Sequence, residues 1–318
     1  MRMGTDLSAR NDLVVFGALR SGSTMLRLMI DAHPAFQCNG EHDYLFQYVW
    51  FDEAQQQWLI DREKLLMNRI FRAHDLRCPQ TSDAKTAIAS LLTQLRNKSE
   101  GRLVVIIHRN LKVALALMEN PPIVHLIRDP RDVAASSIGM GWAGNVYYGA
   151  DHWIATENEW ARALPILSGL TVFTLRFEDL VADPDSRLTE LCNFAGVDFS
   201  PKMLEFHRVT TYSPVDSKLA SQWRKKRTER ELALIELRAG KLLTATGFKP
   251  SGVVPIRLNS FEKVKLWLEN KSFKLRFRIK RHGLFDTIWV TGTRRLGLEA
   301  LAKSAILRMS ERDKRYLK

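Results

Sequence analysis

Two stretches, Leu103-Val-Val-Ile-Ile107 and Ile123-Val-His-Leu-Ile127, are apolar at all but one position. A strand with one wet side alternates apolar and polar, whereas a strand apolar on both sides needs cover on both. The chain must therefore build a sheet buried between two layers. Leu13-Val-Val-Phe16 and Leu170-Thr-Val-Phe-Thr-Leu175 read as two further strands. Helical periodicity separates the four, from about Thr24 and over 58–76, 84–97, 132–138, 151–167 and 184–196, with a stop at Gly196. Strands alternating with helices specify an α/β fold with a central, mainly parallel sheet.

At 318 residues the chain can bury a sizeable core as one large domain or two ordinary ones. Its formal charge of +13 suggests a polyanion partner until it is divided along the sequence. Residues 251–318 hold 17 Lys+Arg and 6 Asp+Glu, a net of +11, and the other 250 residues hold 31 and 29, a net of +2. The excess belongs to the tail, which reads as a small basic C-terminal subdomain beginning near 250. It is either a solvated face or a peripheral contact with an anionic membrane. Neither a zinc-finger spacing nor an aromatic RNA-binding strand accompanies the charge, so no nucleic-acid partner is expected. Within the tail, residues 273–280 alternate apolar and basic with period two, the pattern of a half-exposed strand, and a last helix is expected over 296–312.

Cys38, Cys78 and Cys192 are too scattered for a disulfide framework or a Cys-rich zinc site, and suit a reducing compartment. The N-terminus lacks the apolar core of a signal peptide, and the longest uncharged stretch, from Val133 to Ala150, is interrupted by glycines. A soluble, cytoplasmic protein is the expectation.

The segment Gly17-Ala-Leu-Arg20-Ser21-Gly22-Ser23-Thr24 joins the first strand to the first helix. A glycine-bearing turn there aims backbone N–H groups at an anion on the helix N-terminus. Gly17, Gly22 and Thr24 match the P-loop spacing, but Ser23 stands where the nucleotide-binding lysine belongs, and Arg20 is the only cation in the turn. Such a loop suits a terminal phosphate or sulfate without committing to a metal. A second constellation follows the 123–127 strand: Arg128, at a strand end where α/β sheets bind ligands, and Ser136 eight residues later. Arginine plus hydroxyl is good chemistry for a second phosphate.

Together these segments resemble the sulfotransferases that use 3′-phosphoadenosine 5′-phosphosulfate (PAPS). Arg20-Ser-Gly-Ser-Thr24 is similar to their 5′-phosphosulfate loop, Arg128 and Ser136 to their 3′-phosphate clamp, and Leu175-Arg-Phe-Glu-Asp-Leu180 to their R-Y-E-D-L signature, with Phe177 replacing tyrosine. The block from Arg20 to His33-Pro34 is particularly similar to the tyrosylprotein branch and its bacterial relatives. The resemblance implies a P-loop-like three-layer fold with a catalytic domain over 1–250 and a basic extension over 251–318. It also implies sulfuryl transfer from PAPS, released as PAP, to an acceptor hydroxyl or amine on a glycan, lipid-linked glycan, small metabolite or protein tyrosine. In that scheme Arg20, Ser21, Gly22, Ser23, Thr24, Arg128 and Ser136 hold the donor, and Trp223 and Arg224, in a loop loosely similar to the family's late basic one, close over it. Glu41, one position off the family's Gly-Glu pair, is the base, with His42 and His108 as rivals. Arg109 is the nearest match to the lysine that stabilises the transferring group, with His108 as the alternative. No metal is required; His42-Asp43 is too slight a pair to define one. Trp142, Tyr147 and Tyr148 are candidates for the acceptor site. The competing readings are a small-molecule or nucleotide kinase on a P-loop fold, and a non-enzymatic protein that binds an anion or a membrane.

Overall fold

The computed structural model describes residues 12–118 and 121–314. Strand β1 (Leu13–Gly17) runs into α1 (Ser23–Asp31), followed by the short β2 (Phe36–Gln37). An antiparallel hairpin of β3 (Val49–Asp52) and β4 (Gln57–Ile60) leads to α2 (Arg62–Met67), α3 (Arg69–Ala73) and α4 (Ala84–Arg96). Next come β5 (Arg102–Ile107), α5 (Leu111–Leu117), β6 (Ile123–Ile127), α6 (Pro130–Gly139), the single turn α7 (Val146–Gly149) and α8 (Asp151–Leu167). They are followed by β7 (Val172–Arg176), α9 (Phe177–Ala182), α10 (Pro184–Ala195), α11 (Trp223–Lys226) and α12 (Glu229–Ala239). Helices α13 (Lys241–Ala245), α14 (Ser260–His282), α15 (Leu284–Arg295) and α16 (Lys303–Lys314) end the described chain. These residues form two compact units. One takes the chain up to Asp132 together with His152–Lys226; the other takes Val133–Asp151 and the chain from Arg227 onward.

The first unit contains a sheet of order β2-β5-β1-β6-β7, parallel throughout among the described residues. Alternation within apolar runs feeds two cores. Val14, Phe16, Val105 and Ile107 face one core with Ile88, Leu91 and Leu95 of α4 and Ala163 of α8. Leu13, Val15, Val104 and Ile106 face the other, with Leu26 and Met29 of α1 and Leu188 and Leu191 of α10. This is the three-layer α/β arrangement expected from strands that are apolar on both sides. Helix boundaries follow local chemistry: Asp83 accepts from the Thr86 N–H to start α4, Asp183 caps α10 with Pro184 at its first position, and Gly196 ends α10 at φ 72°.

Three local expectations differ from the structure. The stretch 58–76 is not one helix: its first residues form β4, and α2 and α3 are separated by Asn68, whose side chain accepts from the Ile70 and Phe71 N–H groups. Asp61 likewise caps α2, so Asx residues break a continuous helical pattern into two turns. Residues 273–280 are not a strand but the last turns of α14. Asn259 and Glu262 form a capping box at its start, and Lys280, Arg281 and His282 lie in the last turn. The last helix is shorter than expected at its start, because residues 299–302 form a 3₁₀ turn before α16. No helix among the described residues is long and apolar enough to cross a membrane.

Candidate functional site

Chain order and sheet order diverge between β1 and β6. From β1 the chain moves to β2 at one edge of the sheet; from β6 it moves to β7 at the other. Neighbouring parallel strands whose connections leave in opposite directions open a crevice at their carboxyl ends, where such sheets receive ligands.

The 17–24 loop fills that point. Gly17 lets β1 approach β6, since a Cβ there would stand 2.2 Å from the Leu126 carbonyl oxygen. Arg20 adopts φ 74° and Gly22 φ 93°, the left-handed region, as the loop turns into α1. Among the described residues no side chain caps α1, which leaves its first N–H groups open to a partner at the loop. The Ser21 hydroxyl is fully buried and has no hydrogen-bond partner among the described residues. Ser23 is buried and Thr24 half-buried at the helix start. A buried, unpartnered hydroxyl beside an uncapped helix N-terminus is what an anion would satisfy.

Arg128, at the end of β6, reaches into the same loop. Its Nη1 donates to the Arg20 carbonyl at 3.2 Å and its Nη2 to the Leu219 carbonyl at 3.1 Å. The guanidinium lies 4.1 Å above the Phe177 ring, and its buried Nε has no partner among the described residues. Burial pulls the Arg128 pKa below its usual value, against the opposing pull of Asp132 and Glu178. An arriving anion would relieve that cost. Phe177 also faces Gly22, where a Cβ would meet the ring at 2.2 Å. Glu178 accepts from the Asp129 N–H at 2.9 Å. The Phe-Glu-Asp-Leu segment thus buttresses both the loop and Arg128. In the sequence, Phe177 stands out only as a replacement for tyrosine.

Glu41 follows β2 and forms a parallel bridge with Ile106, which carries it to the end of β5. There its Oε1 lies 3.5 Å from His108 Nε2. His108 Nδ1 is 2.7 Å from the Gly17 carbonyl oxygen; a carbonyl only accepts, so Nδ1 carries a proton. The His108 backbone N–H donates to Asp43 Oδ1 at 2.8 Å. Burial disfavours a charged His108, but the nearby Glu41 carboxylate, the Asp43 charge and the Gly17 carbonyl overcome it and raise the pKa to about 9. Glu41 moves the other way: burial would raise its pKa, and His108 and nearby arginines outweigh that and lower it. Both shifts favour a carboxylate facing an imidazolium. Only Glu41 is reachable, with 34% of its side chain exposed against 1% for His108.

His42 is a different kind of residue. Its Nδ1 accepts from the Ile106 N–H at 3.1 Å, and burial, first among several causes, lowers its pKa to about 3. It is a neutral tie between chain segments. Arg109 is half-exposed, its Nε 3.9 Å from Asp43 Oδ1. Glu41, Asp43 and His108 each bring one donor atom within 4.8 Å of the others, a spacing a cation could bridge. The raised His108 pKa makes a proton the competitor for that place.

Trp223 is buried; its backbone N–H donates to Asp132 Oδ1 at 2.8 Å, and the guanidiniums of Arg131 and Arg224 lie 3.8 Å and 4.5 Å from its ring centroid. Ser136 lies on α6 past Asp132, in the second unit. Tyr147 and Tyr148 belong to that unit too, with Arg238 4.8 Å and 5.4 Å above their rings. Helix α8 supplies supports that sequence reasoning misses: Trp153 Nε1 donates to the Arg128 carbonyl at 2.9 Å, and Thr156 Oγ1 to the His108 carbonyl at 3.2 Å. Their only sequence signal is a place on a helix after the two strands.

The 17–24 loop, which lacks the nucleotide-binding lysine, thus lies against the Glu41–His108 pair. The model of the sulfotransferase family matches residues 12–201, more than half of the sequence, and the chain belongs to that family. Among solved structures it is similar to the sulfotransferase domain of the Synechococcus PCC 7002 olefin synthase, with 20% identity and a TM-score of 0.53 over 75% of this chain and 99% of that one. That likeness is one of fold. It is more distantly similar to sulfotransferase STF9 from Mycobacterium avium (11% identity, TM-score 0.48, 76% and 78% of the two chains). The same holds for mouse sulfotransferase SULT7A1, solved with PAP (12% identity, TM-score 0.47, 75% and 85%). A search of curated protein sequences finds no match.

Proposed function

We propose that the protein transfers the sulfuryl group of PAPS to an acceptor hydroxyl or amine, with the catalytic machinery within residues 1–250. The observation that carries this reading is the 2.7 Å contact between His108 Nδ1 and the carbonyl of Gly17, the first residue of the anion loop. It fixes the proton-handling pair to the element that would hold the donor.

In this reading the 5′-phosphosulfate sits on Arg20, Ser21, Gly22, Ser23 and Thr24, and the 3′-phosphate on Arg128. Ser136 keeps the role the resemblance gives it at that phosphate, and Trp223 with Arg224 closes over the nucleotide. The acceptor oxygen or nitrogen attacks sulfur in line as the bond from sulfur to the bridging phosphate oxygen breaks, leaving that electron pair on PAP. The loop N–H groups and Arg20 meet the charge growing on the leaving phosphate, and Arg109 meets charge on the sulfuryl oxygens. The acceptor proton passes to Glu41. His108, held as imidazolium, orients that carboxylate and keeps it ionised. Asp43 positions His108 through its backbone N–H.

Labelled PAPS offered with a panel of hydroxyl and amine acceptors tests the reading. Transfer by the wild type is expected, with Glu41→Gln lowering kcat about a hundredfold or more while PAP affinity stays within about threefold. Unchanged kcat in Glu41→Gln would remove Glu41 from the chemistry.

A further inference from the structure

Helix α14 has two apolar faces. One is packed within the second unit. Asn270 Oδ1 accepts from the Gly144 N–H at 2.8 Å, and Phe273 and Phe277 press on Gly144 and Gly141, where an added Cβ would come within 2.7 Å and 2.2 Å of their side chains. The other face is bare. At about 100° per residue, Phe261, Val264, Leu268 and Leu275 fall in one arc of roughly 60°, on the side away from Asn270 and Phe277. They are 75%, 54%, 53% and 50% exposed. Lys265 and Arg276 border this arc on one side and Lys271 and Arg278 on the other. On α15, Leu284, Phe285, Ile288 and Trp289 are exposed as well, at 57%, 73%, 59% and 43%.

So much exposed hydrocarbon marks an interaction surface, and the charge around it selects the occupant. Residues 251–318 carry a net of +11, so a second copy of the chain would bring like charge against like. An anionic bilayer suits both features: the acyl boundary takes the apolar arc, and the head groups meet the bordering lysines and arginines. A cleft of about 310 Å³ in the same unit, with Arg278, Arg294 and Arg295 in its wall, offers a lipid phosphate a further seat. We propose that this helical face docks the protein on an anionic lipid bilayer, with α14 lying in the interface plane. Such docking is independent of sulfuryl transfer.

Co-sedimentation of the full chain with vesicles of phosphatidylglycerol and phosphatidylcholine, or of phosphatidylcholine alone, tests it. The wild type is expected to partition at least about tenfold more strongly onto the anionic vesicles, and progressively less as salt is raised. The triple variant Phe261→Ser, Leu268→Ser, Leu275→Ser is expected to lose about tenfold or more of that binding at unchanged helicity. The double variant Lys265→Glu, Arg276→Glu is expected to lose about tenfold by charge alone. It decides the question if the triple variant misfolds. Equal partition onto both vesicle types, or no binding by well-folded wild type, would overturn the proposal. So would a concentration-dependent dimer that the triple variant abolishes, since a second copy would then own the face.

Discussion

His108 shows how a residue acquires properties its sequence neighbours do not announce. Its imidazole meets Glu41, 3.5 Å away, and the Gly17 carbonyl, partners distant in the chain. Its pKa is raised from 6.5 to about 9, so the fold favours the protonated form. The stability this supplies is full below about pH 6.5 and disappears as pH rises through about 9. Its size is on the order of 3 kcal/mol. Glu41, with a lowered pKa, adds stability that is present above its ordinary value of 4.5 and lost as pH falls through the depressed one. Urea denaturation at about pH 6 and about pH 10 should show the wild type losing stability on going up, and His108→Gln losing clearly less. Equal losses in the two proteins would mean that His108 is not an imidazolium in the folded state. The turn from β1 into α1, by contrast, was legible residue by residue, because glycines and hydroxyls between a strand and a helix mark such a junction. What stayed hidden was Phe177, whose contact with Gly22 and Arg128 depends on β7 lying beside β6.

Helix α14 is the element that sequence pattern misreads, for a geometric reason. Period-two alternation in 273–280 places Phe273 and Phe277, four apart, on the packed face, and leaves Leu275, 50% exposed, on the other. A helix with apolar residues on opposite faces loses its helical signature and mimics a strand. The capping box at Asn259 and Glu262 was the local signal that favoured a helix. The two faces should separate under mutation: Phe277→Ala should cost about 2 kcal/mol by chemical denaturation, and Leu275→Ala no more than about 0.5 kcal/mol. Equal costs would contradict a packed Phe277 and a bare Leu275. By comparison, β5 and β6 were readable because being buried on both sides leaves a strand no polar positions.

Across the whole molecule, a parallel sheet gathers residues from distant segments by strand order alone. The ends of β1, β5 and β6 lie side by side, so the 17–24 loop, His108 and Arg128 meet although they lie far apart in sequence. The sequence order of the motifs implied that these segments would meet; which side chains touch depended on the register of the strands and on the supports from α8 and α9. The basic tail was legible as charge, while its exposed apolar arc emerged only once the chain was helical. In the proposed function the loop and Arg128 form the donor site of a sulfotransferase. Calorimetric titration with PAP, for the wild type and for Arg128→Ala, tests it most directly. Saturable binding by the wild type and about a hundredfold weaker binding by the variant are expected. Absence of binding by well-folded wild type, or equal affinity in the two proteins, would contradict it.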